Sequence, residues 1–284
     1  MHVSIHYETR YLYQKSVSFS PHTFRFFPRP SASLSVLCQE FLTQPNGSVH
    51  RTRDLFDNDV ASCFYPEAAS TLEARLHLEL QLHPYNPFGF LLHPHAVETP
   101  FCYHPSELRA LAPYLQEPSE THLTPTLPFW PRPSKPRPTT DLLVDLNQTI
   151  HREIAYERRE EGEARPSHET LALRRGACRD FAVLLVGELR ALGIASRLAS
   201  GFLCEFDAEE KRAEGALHAW TEAYLPGAGW IGLDPTNGVF CAEHHILTAV
   251  GLTPQDIAPI AGNYFHAESL PSQMQASLSI HEKP

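Results

Sequence analysis

The sequence predicts an α+β fold, with an N-terminal antiparallel β-sandwich-like domain followed by a stretch of helices and then a further set of strands. Three observations carry this. "TLEARLHLELQLH" sets Leu72, Ala74, Leu76, Leu78, Leu80 and Leu82 against polar residues at every second position, the period of a half-buried strand. "DLLVDLNQTIHREIAYE" switches to helical spacing with Leu142, Leu143, Leu146, Ile150 and Ile154. "LHAWTEAYLPGAGWIGLDPTN" then gives two strand-like runs around Pro226-Gly227-Ala228-Gly229, which predicts a β-hairpin.

A chain of 284 residues carries a prior of about two domains. Residues 1–116 read as the β domain. Val3, Ile5 and Tyr7 alternate inward along 2–8, and Ala32, Leu34, Val36 and Cys38 along 31–38, so Cys38 is expected in the core. "PNGS" at 45–48 holds the Asn-Gly pair favoured in tight hairpin turns. Strands with one apolar face must cover one another, hence the sandwich. Residues 117–140 are rich in proline, which removes amide donors and forbids a regular helix or central strand; this is an extended connector, and Phe129 and Trp130 are suited to strap it onto a domain.

Residues 141–265 form the second domain. A helix follows Asp141 as N-cap, a short helix covers 168–174, and "ERREEGEARPS" between them reads as a solvated charged loop. In the last segment, 266–284, Met274, Ala276, Leu278 and Ile280 alternate with polar residues and predict a terminal strand that rejoins one of the sheets.

Composition excludes several function classes. With 23 Lys+Arg against 33 Asp+Glu the net charge is -10, and no basic stripe is present, so nucleic acid is not an expected partner. No apolar run approaches the roughly 18 residues of a membrane span. "MHVSIHYETRYLYQKSV" lacks the basic and continuous apolar regions of a signal peptide, so a cytoplasmic location is expected. The six cysteines show no CxxC spacing and are expected as free thiols, and "HPHAVETPFCYHP" (His93, His95, Cys102, His104) fits no zinc template. No metal and no cofactor are expected.

The chemistry concentrates on three residues. In "RRGACRDFAVLLVGELRALG", Phe181, Ala182, Leu185, Val186, Leu189 and Leu192 define a helix of about four turns closed by Gly193. Cys178 starts it, where unpaired amides and the macrodipole stabilise a thiolate; the plain alternative is a small core cysteine. Asp180 opposes that thiolate unless its side chain turns away to cap or pair, and Arg174 or Arg175 could contact the site. In the hairpin, if the loop spans 225–229, Tyr224 lies opposite Trp230 and Trp220 opposite Asp234. His218 then lies diagonal to Asp234 on the same face, roughly 7–8 Å away between backbones. An even-numbered loop would put Asp234 on the other face. Thiol, imidazole and carboxylate together make a nucleophile, a base and a group that orients the base. Taken singly, His218 is equally a strand histidine and Asp234 a turn residue before Pro235. Trp220 and Trp230 are candidate walls of a substrate site or packing residues of the hairpin. Glu222 shares the parity of His218 and lines a cleft or faces solvent, while Cys204 and Cys241 pack.

Together, "RRGACRDFA", "ALGIASRLASGFL", "HAWTEAYLPGAGW" and "GLDPTNG" resemble the transglutaminase-like superfamily, especially bacterial members with an N-terminal β domain. The resemblance covers about residues 141–265, with similar segments at 107–115 and 248–262. It implies a papain-like α+β core, a cysteine-bearing helix packed on an antiparallel sheet bearing histidine and aspartate. It further implies Cys178 as nucleophile, His218 as base and Asp234 as orienting acid. The implied activity is acyl transfer on amide bonds of a peptide or protein through a thioester, as a cysteine protease or amidase. A transglutaminase or amide-forming enzyme with an amine acceptor is the alternative, and a peptide-binding or assembly protein on the same fold the non-enzymatic one. Cys178 N–H is the expected oxyanion donor, with a second donor unassigned. Two departures stand out: "RDLFDNDV" lacks the glycine the family tends to carry before the Asn, and Gly251-Leu252-Thr253-Pro254 replaces its Gly-Arg-Asp-Tyr.

Overall fold

The computed structural model describes residues 1–116, 127–159, 162–206, 212–268 and 270–283. The N-terminal part of the connector, 117–126, lies outside the described residues. Strand β1 (His2–Phe19) is followed by β2 (His22–Phe24), β3 (Leu34–Gln44), β4 (Ser48–Arg53), β5 (Asp59–Phe64) and β6 (Ala69–Leu82). Helices α1 (Pro105–Leu115), α2 (Thr139–Glu153), α3 (Ser167–Leu173) and α4 (Cys178–Ala191) come next. The chain then forms β7 (Ser196–Phe206), β8 (Arg212–Leu225), β9 (Gly229–Asp234), β10 (His245–Gly251) and β11 (Ser272–Lys283).

Leu72, Ala74, Leu76, Leu78, Leu80 and Leu82 are all buried, as are Val3, Ile5 and Tyr7 on the neighbouring strand β1. They face Phe24, Ala61 and Cys63 of a second sheet, β2–β5–β4, across one apolar core. Of the residues expected inward along 31–38 only Leu34 is buried; Ala32 and Val36 are exposed. Strand β3 is an edge strand, a register shift interrupts its pairing with β6 between Val36 and Cys38, and Cys38 is only half-buried. "PNGS" is a corner rather than a hairpin, because β3 pairs with β6 and β4 with β5.

Helix α2 starts at Thr139, two residues before the expected cap, and Asp141 lies in its first turn. The connector is a packed strap from Leu127 onward. Leu127 and Trp130 enter the core beneath α2 and α4, Trp130 Nε1 donates to Asp145 at 2.9 Å, and Arg132 pairs with the buried Glu188 at 2.7 Å. Strand β11 runs antiparallel to β1 over twelve residues and meets the start of β8 at Arg212↔His281 and Ala213↔Ile280, so the two halves share one continuous sheet.

A second junction is made by the loop 54–58. Buried Asn58 donates from Nδ2 to the Val250 carbonyl at 2.8 Å and accepts the Val250 N–H at 2.8 Å, which satisfies both backbone groups on the edge of β10. Asn58→Ala leaves them unpaired and is expected to cost about 2 kcal/mol or more, readable as a lower urea midpoint. The position before Asn58, where a glycine was expected, is Asp57 with φ 60. Asp tolerates this left-handed conformation better than most residues, so the turn forms without glycine. Its ion pairs to Arg29 and Arg53, both at 3.8 Å, are exposed on the Asp57 side and contribute little. Asp57→Gly is therefore expected to raise stability by up to about 1 kcal/mol. An unchanged or lower Tm would show that the ion pairs matter more.

Candidate active site

Cys178 is the first residue of α4, after the extended Ala177. The apolar stripe Phe181, Leu184, Leu185 and Leu189 buries the helix against α2, β8 and β9. On its other side Thr221 Oγ1 donates to the Ala182 carbonyl at 3.1 Å and Ser196 Oγ to the Val186 carbonyl at 3.1 Å, which fixes the helix on the sheet. Its first turn is pinned by Asp180, fully buried at 0% exposure. One Asp180 oxygen accepts Ala177 N–H at 2.8 Å; the other accepts Arg159 Nη2 at 2.9 Å and Arg165 N–H at 2.7 Å. The carboxylate is thus turned away from the thiol and neutralised. The charged loop is not merely solvated: its Arg159 and Arg165 form this clamp, whereas Arg174 sits over Phe129 and pairs with Glu153.

The hairpin has the odd-numbered loop, with Leu225↔Gly229, Tyr224↔Trp230 and Thr221↔Leu233 in register. His218 and Asp234 consequently meet, with Nε2 2.9 Å from Oδ2. His218 is also hydrogen-bonded to Cys178, and the Ala219 backbone bonds to the same sulfur. With Nε2 committed to Asp234, the other ring nitrogen is the one left for the thiol. Cys178 is partly exposed as a residue, while His218 and Asp234 are enclosed.

Electrostatics favour an ion pair. Burial opposes charge on Cys178, but the His218 hydrogen bond and charge outweigh it and hold the thiol below its ordinary range. Burial likewise opposes the imidazolium, yet hydrogen bonds to Asp234 and Cys178 push His218 up to about 10. Burial would raise Asp234, and its hydrogen bonds from His218 and His245 instead drive it far below the carboxylate range. Asp234 accepts five hydrogen bonds. Thr236 N–H at 2.9 Å and Asn237 N–H at 3.3 Å reach Oδ1; Asn237 Nδ2 at 2.8 Å and His245 Nε2 at 3.1 Å join His218 at Oδ2. Such a site can deliver a thiolate and an imidazolium near neutral pH.

Both halves of the chain match family models. Residues 132–235, which contain Cys178, His218 and Asp234, match the transglutaminase-like superfamily, and residues 3–81 match the bacterial transglutaminase-like N-terminal region. The core, residues 132–235, belongs to the transglutaminase-like superfamily. A solved structure described as that of a candidate cysteine protease from Cytophaga hutchinsonii shares the fold over 100% of this chain and 92% of its own, with a TM-score of 0.73 at 19% identity. An uncharacterized protein of Mycobacterium leprae is 44% identical over 92 residues, 32% of each chain. One of Mycobacterium bovis is 33% identical over 133 residues, 44% of this chain and 42% of its own. The matches span less than half the length of these two relatives.

The transglutaminase-like core treats the two candidate tryptophans differently. Trp220 is buried beneath the site, its ring 6.3 Å from that of His218 and 5.6 Å from that of His245, and packs with Ala199, Val250 and Phe56 of the 54–58 loop. Trp230 lies in another cluster, against Tyr114 and Tyr224, with Arg197 4.0 Å over its ring. Glu222 neither lines a cleft nor faces solvent: it is buried in an ion pair with Arg197 at 2.7 Å. Cys204 is buried in the sandwich core and Cys241 packs beside Trp220. His93, His95, Cys102 and His104 are exposed, and His104 caps α1. Among the described residues no group of three or more His, Cys, Asp or Glu is placed to hold a metal ion. At Gly251-Leu252-Thr253-Pro254, Asp256 accepts the Leu252 and Thr253 amides at 3.0 and 2.8 Å and closes the turn.

Two features of the site were not read from the sequence. One is the Arg159–Asp180 clamp. The other is His245, whose only signal was a His-His pair directly ahead of an apolar strand in "EHHILTAV".

Proposed function

We propose that the protein catalyses acyl transfer from amide bonds of peptides, with Cys178 as nucleophile, His218 as acid and base, and Asp234 as the group that orients His218. The observation that carries it is the hydrogen-bonded series Cys178–His218–Asp234 with its thiol at a helix N-terminus. The Cys178 thiolate adds to the amide carbonyl, forming the S–C bond; His218 gives its proton to the nitrogen as the C–N bond breaks, and an amine leaves. Water, deprotonated by His218, then adds to the thioester, and the thiolate leaves as the carboxylic acid forms. A primary amine in place of water gives transamidation by the same steps.

The test compares wild type with Cys178→Ala on a peptide library, with and without a primary amine. Loss of all turnover in the variant is expected. Turnover that survives Cys178→Ala sinks the proposal, and incorporation of the amine separates transfer from hydrolysis.

A further inference from the structure

Asp234 Oδ2 is shared by two histidines that arrive from different strands. His218 comes from β8 and His245 from the first position of β10, with their rings 6.4 Å apart. Cys178 lies beyond His218, and Cys241 is electrostatically coupled to both Asp234 and Glu222. We propose that His245 is a positioning residue for the Cys178–His218 pair, acting through Asp234, a role that rests on the function proposed above.

The orientation of the ring follows from its two contacts. Nδ1 receives the Ala242 N–H at 3.4 Å, which leaves the ring proton on Nε2, 3.1 Å from Asp234 Oδ2. His245 therefore donates to the same oxygen that His218 uses. It is buried, with 7% of its side chain exposed, and Trp220 packs edge-on against it while stacking over His218. One indole thus sets the spacing of both rings. Oδ1 is engaged by the Thr236 and Asn237 amides. Donors on both oxygens define the carboxylate plane, so that Oδ2 is presented to His218 in a single orientation. Asn237 Nδ2 also reaches Oδ2, at 2.8 Å, so without the His245 donor every remaining hydrogen bond but that of His218 comes from the 236–237 turn; the carboxylate can swing toward that turn, and the imidazolium loses part of the partner that stabilises it.

The experiment measures alkylation of Cys178 by iodoacetamide against pH in the full chain, with the adduct located by mass spectrometry. It compares wild type, His245→Phe, His245→Gln and His245→Asn. His245→Phe keeps a ring and removes the donor, and its reactivity at pH 6 is expected to fall about tenfold or more. Its two pH inflections should also move toward each other. His245→Gln can still reach Oδ2 with an N–H and is expected to stay within about threefold of wild type, whereas the shorter His245→Asn behaves like the Phe variant. A folded His245→Phe with the wild-type profile overturns the role, as does a His245→Gln that falls as far. If His245→Phe does not fold, identical profiles for the Gln and Asn variants overturn it. Wild-type Cys178 that is alkylated no faster than the other cysteines refutes the proposed function itself, whereas a failure confined to the variants refutes only the role of His245.

Discussion

Replacing His218 with alanine is expected to lower peptide turnover by about 10²- to 10⁴-fold, the range for loss of a positioned general acid and base. The same change should return Cys178 to ordinary thiol behaviour. An unperturbed thiol is only about 3% thiolate at pH 7. Wild type, held as an ion pair, should therefore alkylate faster there, with a ceiling of about thirtyfold that the weaker intrinsic nucleophilicity of a stabilised thiolate lowers further. The pH dependence has a definite sign. Cys178 is lowered, so the acid limb of activity lies below the usual thiol range; His218 is raised to about 10, so the alkaline limb lies well above an ordinary histidine. Stability follows the same groups by linkage. The raised His218 contributes fully below about pH 6.5, and its share is lost as pH rises through about 10. The lowered Asp234 contributes above about pH 4, and its share is lost only as pH falls through its depressed native value. Between these limits His218→Ala should lose stability relative to wild type. A variant whose alkylation profile matches wild type would mean that His218 does not tune the thiol.

What could be read in advance depended on how local the determinant is. Cys178 was legible because a helix start is written within a few residues. The His218–Asp234 contact was only permitted by the sequence, because it turns on the parity of one short loop, and the register Tyr224↔Trp230 decides that parity. His245 was not legible, because it meets Asp234 only after the chain has left β9 and re-entered the sheet beyond β7, a long-range arrangement with no spacing rule. Arg159 escaped for a related reason. In a run of mixed charges each residue looks solvated, and only the fold shows which one reaches the buried Asp180. Strand β3 misled because its alternation implies a buried face, while an edge strand with a register shift leaves Val36 and Leu37 exposed. The glycine missing before Asn58 mattered little, because what the turn requires is the left-handed φ and Asp57 supplies it.

Gly201→Ala is expected to be the most damaging single methyl that can be added near the site. Gly201 lies on β7, paired with His218 on one side and Leu247 on the other, beside the register shift between Ser200 and Gly201. At that shift the extra residue is Thr248, whose hydroxyl donates to the Ser200 carbonyl at 3.2 Å. A bulge of this kind bends its strand, and here it lies three residues from His245, whose side chain it helps aim. A Cβ on Gly201 would fall on the Ile246 carbonyl oxygen and stand 3.0 Å from the Trp220 ring. Backbone on one side and a buried indole on the other leave no flexible group to give way, so β10 must move. The expected cost is about 3 kcal/mol, a Tm loss of roughly 6–10 °C for a chain of this size. Because β10 carries His245 and the indole supports both histidines, Cys178 alkylation at pH 6 should fall even in the folded fraction. Gly193→Ala is the control. Gly193 follows α4 with φ 77 and open space around its Cβ position, so alanine there costs only the left-handed conformation, about 1 kcal/mol, and the alkylation profile should stay that of wild type. If Gly201→Ala loses stability no more than Gly193→Ala and keeps the wild-type profile, then β7 and β10 can separate without disturbing the site, and the bulge does not aim His245.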